Sequence, residues 1–402
     1  EVDEIIELGE NLERGVFVLE NIIKQDNTNT KAYRKLSYLY QLLNKNSMAI
    51  NIYKENKFIN LNEYDYAMLA EAYYSLENYD SALYYIDKSI SIDSLDSDSY
   101  FLKALIYDDL KNYNLSKSEY FKTIKYDSSY SEAYNNLALI YEENNQFDSA
   151  LYLYKQANKI IGDDMYFRNI AELFAWKYEI EDSALYYYNK ALDFDPENDL
   201  NHFFIASYYY YSNNYSLAIK FYSKAIELNP SDPDYIFYRG LSYESEGSYA
   251  EAISDFVKSA DIYQNNDDKA GSLNNIGAIY HNFVEDYETA LKYYFDAFSI
   301  KEDELYAENI GSVYLNNLEN IDSAIYYFEK SIQINEEYVS AYINKGNAYS
   351  INGNYEKALN EYNRGLKINS NDYGLLEARA DLFYSWNEYE LGIEEYKKII
   401  KI

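Results

Sequence analysis

Apolar and polar residues alternate along this chain with a helical period, and the pattern itself recurs. Tyr66, Leu69, Ala70 and Tyr73 fall on one face of an α-helix, and Tyr134, Leu137, Ala138 and Tyr141 repeat that face further on. A polar turn, Leu76-Glu77-Asn78, follows the first set. A second stripe then starts with Ala82, Ile86 and Ser89 at i, i+4 and i+7, and returns as Ala150, Tyr154, Ala157 and as Ala218, Tyr222, Ala225. Each stretch therefore predicts two helices joined by a short turn. Small side chains on both let the axes approach closely, while large aromatic ones fill the space beside them. Asp80 is placed to cap the second helix, its carboxylate accepting free N–H groups of the first turn. Pro196 and Pro230 come just after second helices, where proline stops further winding.

The two-helix phrase is copied along the chain. The run from Asn78 to Tyr85 returns with small changes at Gln146–Tyr152, Glu181–Tyr187 and Ile321–Tyr327. Its small residue falls at Gly15, Ala49, Ala82, Ser116, Ala150, Ala184, Ala218, Ala252, Ala290, Ala324, Ala358 and Gly392; the spacing is 34 residues, except 33 once and 38 once. A period held this long is the signature of a repeat architecture. Three inter-helix turns carry one extra residue, since Phe174 to Ala184, Tyr280 to Ala290 and Tyr314 to Ala324 are each one step longer than Tyr141 to Ala150. The 38-residue interval predicts a lengthened connection around Gln264–Lys269.

This pattern resembles the tetratricopeptide repeat family. The resemblance rests on the period and on Tyr134, Leu137, Ala138, Tyr141, Ala150, Tyr154, Ala157 and their equivalents, with glycine at the first small position in Gly240, Gly277, Gly311 and Gly346. The chain departs from the family in replacing the first-helix tryptophan mostly by tyrosine, and in keeping the closing proline only at Pro196 and Pro230. The resemblance implies an all-α fold, a right-handed superhelical solenoid of stacked antiparallel helix pairs. First helices would line a concave groove and second helices the outer wall. The whole chain then reads as one solenoid: a partial unit over 1–29, then full units over 30–62, 63–96, 97–130, 131–163, 164–198, 199–232, 233–269, 270–303, 304–338, 339–372 and 373–402.

Composition narrows the function. Three prolines and thirteen glycines in 402 residues leave no room for flexible linkers. A net charge of −33 repels phosphate backbones, which argues against nucleic acid and suits a basic partner. The absence of cysteine removes disulfides, thiol nucleophiles and cysteine metal sites. No apolar run is long enough to span a bilayer, Phe203–Tyr211 being the densest. The chain opens on Glu1 and not Met, which reads as a processed, trimmed or partial chain. His202 and His281 lie in different units, and no HExxH motif, phosphate loop or nucleophile elbow appears, so no catalytic or metal site and no cofactor is expected.

Three surfaces remain as candidates. By the resemblance, the groove displays Tyr64, Tyr74, Phe101, Asp108, Asp109, Leu139, Glu142, Glu143, Phe203, Tyr210, Phe237 and Glu244. Aromatic and acidic groups together suit a peptide or protein segment with basic and apolar side chains. The ends carry apolar residues without a polar cap: Ile5, Ile6 and Leu8 at the start, Ile393, Tyr396, Ile399 and Ile400 at the finish. Such ends suit head-to-tail self-association into a filament. On the outer wall, Ser81, Ser94, Ser149, Ser183 and Ser323 follow aspartate and precede a small or aliphatic residue. That resembles an O-glycan acceptor motif of exported bacterial proteins, although helix starts account for the same letters. The first reading is a non-enzymatic protein-interaction scaffold. The alternative is an extracellular, glycan-bearing filament. The expected location is extracellular or periplasmic, with the cytoplasm left open.

If Ala150 marks a close helix contact, Ala150→Leu overpacks it and destabilises the protein by about 1–3 kcal/mol. Urea unfolding checks this; unchanged stability would mean that the helix face is wrongly assigned.

Overall fold

A computed structural model describes residues 11–55 and 59–400. Among these every regular element is helical. The chain divides into two compact units, Glu1–Phe194 and Asp195–Ile402. In the first, the helix Leu12–Gln25 precedes five helical pairs: Thr30–Leu42 with Asn46–Glu55, Glu63–Tyr74 with Tyr79–Ile92, Ser97–Asp109 with Tyr113–Tyr126, Ser131–Glu143 with Phe147–Ile160, and Asp164–Trp176 with Glu181–Phe194. The second holds six: Asp199–Tyr211 with Tyr215–Leu228, Pro233–Glu246 with Tyr249–Ile262, Asn266–Ile279 with Tyr287–Ile300, Glu304–Asn316 with Ile321–Ile334, Val339–Ile351 with Tyr355–Ile368, and Tyr373–Ser385 with Tyr389–Ile399. The first and second helix of each pair are called A and B below.

Within each pair A packs along B, and within each unit B packs on the next A. The small residues that set the period are all buried, Ala82, Ser116, Ala150, Ala218 and Ala324 among them with no exposed surface. Four residues beyond each lies a large ring or aliphatic group. Ile86, Tyr120, Tyr154 and Tyr188 take that place in the first unit, and Tyr222, Phe256, Tyr294, Phe328 and Tyr362 in the second; all are fully buried. These groups lie against the A helix of their own pair. A Cβ added at Gly277 would stand 2.7 Å from the Tyr294 ring, and one at Gly311 2.7 Å from the Phe328 ring. Glycine there is thus a packing requirement. The third small position lies between B and the following A: a Cβ at Gly365 would meet Leu375 at 2.8 Å, and Ser89 and Ser99 hydroxyls join across the same seam at 3.1 Å.

The turns follow one scheme. In a regular A–B turn the backbone closes onto the carbonyl five residues back, as in Asn78 N–H to Tyr73 at 2.9 Å and Gln146 N–H to Tyr141 at 2.8 Å. The residue before the closing one is left-handed: Glu77, Lys111, Asn145, Asn213 and Gly247 all have positive φ, as helix ends of this kind require. The three longer turns keep the anchor and close six residues on, Ile180 to Phe174 at 2.8 Å, Asp286 to Tyr280 at 3.0 Å and Asn320 to Tyr314 at 2.8 Å. The extra residue widens the last turn, visibly so in the π-helical segment Tyr280–Val284.

Two local expectations are corrected. Asp80 is not the cap of its helix. Asn78 is, its side chain accepting from Ser81 N–H at 3.2 Å, and Asp80 sits one residue inside the first turn. There its charge still favours the helix N-terminus. Asn112, Asn214, Asp286 and Asn320 cap other B helices in the same way. The 38-residue interval does not lengthen the connection either. The inserted residues wind into an early first turn beginning at Asn266, capped by Asn265 through Asp267 N–H at 2.9 Å. Asp267 and Asp268 in that first turn stabilise it electrostatically.

Gly311→Ala should displace the buried Phe328 ring. The overpacking cost, about 1–3 kcal/mol, exceeds the ~1 kcal/mol that alanine gains in helix propensity. Native-state hydrogen exchange in Glu304–Asn316 and Ile321–Ile334 should show a net loss on the order of 1 kcal/mol; stronger protection would contradict the packing described here.

Candidate functional site: the A-helix face

Successive A helices touch one another directly. Thr30–Leu42 meets Glu63–Tyr74, which meets Ser97–Asp109; in the second unit Asp199–Tyr211 meets Pro233–Glu246, and Glu304–Asn316 meets Val339–Ile351. Side chains join them further: Arg34 grips Asp65 through Nε at 2.8 Å and Nη2 at 2.7 Å, Asn169 donates to Asn135 at 3.0 Å, and Asn309 to Asn274 at 2.8 Å. In each unit the A helices thus present a shared surface beside the core.

The predicted groove residues fall into two groups. Phe101, Phe203 and Phe237 are half-buried and spend their rings on packing. Phe101 lies 4.7 Å from Tyr130 and 5.8 Å from Tyr120 between ring centroids. Phe203 lies 5.0 Å from Tyr235, and Phe237 5.5 Å from Phe256. The other group reaches the surface. Tyr64 is 48% and Leu139 44% exposed, Asp109 and Glu143 are exposed, and Tyr74, Asp108, Glu142, Tyr210 and Glu244 are half-buried.

How the acids are held was not visible from the sequence. The buried B-helix tyrosines reach under the A helix, and their hydroxyls emerge against A-face polar groups. Tyr120 donates to Asp108 at 2.6 Å and accepts from Asn136 at 3.2 Å. Tyr154 donates to Glu142 at 3.1 Å, and Tyr188 donates to Glu172, which also accepts from Trp176 Nε1 at 2.9 Å. In the second unit Tyr222 meets Ser207 at 3.0 Å, Tyr362 donates to Asn347 at 2.7 Å and Tyr396 donates to Asp381. The signal that could have exposed these pairs is a polar residue 12, 15 or 16 positions before the tyrosine; it crosses a turn, so helical periodicity does not reveal it.

Electrostatics on this face are one-sided. Burial pushes the carboxyls of Glu71, Asp108, Glu172 and Glu244 above the usual carboxylate range. Burial first, and the facing carboxylate second, pushes the Tyr120 and Tyr154 hydroxyls well above the ordinary phenol value, so both stay protonated donors. Three A-helix cations of the second unit are paired inward. Arg239 binds Asp255 at 2.7 and 2.8 Å, Lys345 bridges Glu329 at 2.5 Å and Glu361 at 3.3 Å, and Arg379 holds Glu395 at 2.7 Å. These mostly buried pairs link A to B helices and are structural.

The remaining candidates are placed as follows. Ile393 is 54% and Ile400 83% exposed, Tyr396 is exposed, and Ile399 is half-buried; Ile5, Ile6 and Leu8 lie outside the described residues. Ser94 and Ser149 are exposed, whereas Ser81, Ser183 and Ser323 are half-buried in the first turns of B helices. His202 Nε2 lies 2.9 Å from the Pro196 carbonyl, and His281 Nε2 2.9 Å from Asn317 Oδ1. Among the described residues no group of three His, Asp or Glu side chains is arranged to hold a metal, and no helix is long and apolar enough to cross a membrane.

Profiles described as tetratricopeptide repeat or TPR repeat match residues 66–94, 97–130, 131–160, 206–247, 306–338 and 339–372, together half of the chain. No curated protein matches it in sequence. Among solved structures, the human IFIT1 dimer with m7Gppp-AAAA is 17% identical over 91% of this chain and 88% of its own, with a TM-score of 0.48. The APC/C hetero-tetramer Cut9-Hcn1 gives 16% identity over 100% and 92%, with a TM-score of 0.43. YrrB, titled a TPR protein with an unusual peptide-binding site, gives 24% over 48% and 97%, with a TM-score of 0.37.

The raised carboxyls set a pH dependence. A carboxyl whose folded pKa lies above its unfolded value, 3.8 for Asp or 4.5 for Glu, contributes stability that is complete below the unfolded value and is lost as pH rises through the folded value. Stability should therefore increase on acidification from pH 7 towards about 5. At lower pH it should fall, as Asp199, Glu304, Glu329 and Glu395, whose carboxyls are lowered, take up protons. Urea unfolding against pH checks this, with Asp108→Asn and Glu172→Gln flattening the rise; a steady decline from pH 7 to 5 would contradict it.

Proposed function

Because the chain belongs to the tetratricopeptide repeat family, we propose that it is a non-enzymatic interaction scaffold that binds a peptide or protein segment on the surface of its A helices. The observation that carries this reading is the A-helix face itself. In the first unit it combines exposed Tyr64, Leu139 and Glu71 with the half-buried, desolvated carboxyl of Asp108. The core does not need such groups, and leaving a carboxylate short of water costs stability. A ligand that supplies hydrogen bonds or positive charge offsets that cost, so the face gains on binding what it loses in the free protein. Tyrosine adds contact area at low entropic cost.

A second reading, head-to-tail assembly into an extracytoplasmic filament, is favoured by the exposed Ile393, Tyr396 and Ile400 at the last B helix. Exposed Ser94 and Ser149 are the O-glycan acceptors this reading would use first.

Peptide display against the immobilised protein tests the first reading. Ligands selected on the native protein should lose binding to a Leu139→Arg/Glu143→Lys variant and keep binding to a Tyr152→Ala/Tyr186→Ala variant on the outer B face. Binding that follows the second variant and ignores the first would refute the A-face reading. In sedimentation velocity a discrete monomer supports the scaffold, and long polymers with an axial repeat support the filament.

A further inference from the structure

Resting on the A-face reading, we propose that the first unit's A face docks an extended, basic segment of another protein whose Lys or Arg side chains recur at about every third residue. The argument begins with charge. Of the first unit's five A helices, Thr30–Leu42 carries Lys31, Arg34 and Lys35, but the four that follow, Glu63–Tyr74, Ser97–Asp109, Ser131–Glu143 and Asp164–Trp176, contain only two cationic side chains, Lys103 and Arg168. Both are engaged: Lys103 pairs with Asp87 of the preceding B helix at 2.7 Å, and Arg168 with Asp164 at 2.5 Å. The same helices carry Glu71, Asp108, Glu142 and Glu172, one on each helix, with Glu71 and Glu172 about a turn earlier than Asp108 and Glu142, and with Asp109 and Glu143 beside the latter.

These carboxylates are positioned, not scattered. Tyr120, Tyr154 and Tyr188, one per pair at the repeat spacing, fix Asp108, Glu142 and Glu172 from below. A tyrosine hydroxyl orients a carboxylate without neutralising it. The molecule thus holds a row of acids, three of them fixed from below, and burial makes Asp108 and Glu172 among these costly to ionise. Cationic side chains of a partner remove that cost, which complementary charge across an interface does well. Leu139 and Tyr64, exposed on the same helices, offer apolar contact to the residues separating the cations.

The spacing follows from helix packing. Neighbouring helices stand about 8–10 Å apart, and an extended chain rises about 3.3 Å per residue. A cation at every third residue therefore advances about one A helix per step. Three steps, from the first of the four helices to the last, take a segment of roughly ten residues.

The test uses three synthetic peptides and the full chain in fluorescence anisotropy at about 150 mM salt, where nonspecific surface attraction is largely screened. The first carries Lys at positions 1, 4, 7 and 10 with Leu, Ser and Ala between. The second has the same composition with the four Lys adjacent, and the third replaces Lys by Gln. The spaced peptide should bind at least tenfold more tightly than the clustered one, and the Gln peptide should not bind. The triple variant Asp108→Asn/Glu142→Gln/Glu172→Gln, shown by circular dichroism to keep its helices, should bring the spaced peptide down to the clustered one. Equal binding of the spaced and clustered peptides overturns the proposal, because charge without register then suffices. So does undiminished binding to the triple variant. If no peptide binds, the basic partner is refuted while the display selection still decides the wider A-face reading.

Discussion

The structure depends on the contact of a large B-helix side chain with the backbone of its own A helix. The ring of Tyr294, Phe328 or Tyr362 lies where an ordinary side chain of the A helix would be, which is why Gly277, Gly311 and Gly346 stand opposite. Ala70, Ala104, Ala138 and Ala206 take the equivalent places in other pairs, each fully buried. Each such contact buries a side chain of the largest class and brings two helix axes close. Dispersion and the hydrophobic effect then act over the whole length of the pair. A stack of such pairs needs no central core: each one completes its burial on its neighbours.

Because most of these groups are tyrosines, the same contact has a polar end. A hydroxyl carried on a fully buried ring needs a partner, and for Tyr120, Tyr154, Tyr188, Tyr222 and Tyr362 that partner is on the A face: Asp108, Glu142, Glu172, Ser207 and Asn347. Packing and surface chemistry are therefore one device. The ring sets the helix spacing, and its hydroxyl fixes an acid on the surface that the A helices share. Where the chain instead uses Phe256 or Phe328, that acid support is absent; Arg239–Asp255 binds the two helices of the Phe256 pair on another side, and Lys345–Glu329 ties the Phe328 helix to the next A helix.

The fold was legible in the sequence because its cause is periodic. A small residue every 34 positions, and a large one four residues on, must appear in the letters if they are to pack in the structure. The longer turns at Glu179, Glu285 and Glu319 were legible for the same reason, as single steps out of phase. What escaped was decided by competition among local polar groups. Asp80 and Asn78 both suit a helix start, and the backbone chose Asn78 because its side chain meets Ser81 N–H from outside the helix. The inserted residues before Ala270 had helix-favouring acids and a cap in Asn265, and so became helix and not loop. The surface was half legible: Asp108 and Glu142 were found as exposed-face positions. Glu172 was not among them, and Phe101, Phe203 and Phe237 are half-buried against neighbouring rings. Which side of an aromatic ring faces water depends on the neighbouring pair, and a single helical period carries no record of that neighbour.

The most direct test of this account is a double-mutant cycle on one tyrosine–carboxylate pair, Tyr154→Phe with Glu142→Gln, read by native-state hydrogen exchange in Phe147–Ile160 and Ser131–Glu143. If the hydroxyl holds the acid, the two substitutions are coupled by about 1 kcal/mol. Strictly additive effects would mean that ring and carboxylate act independently, and the link drawn here between core packing and the A-helix surface would be wrong.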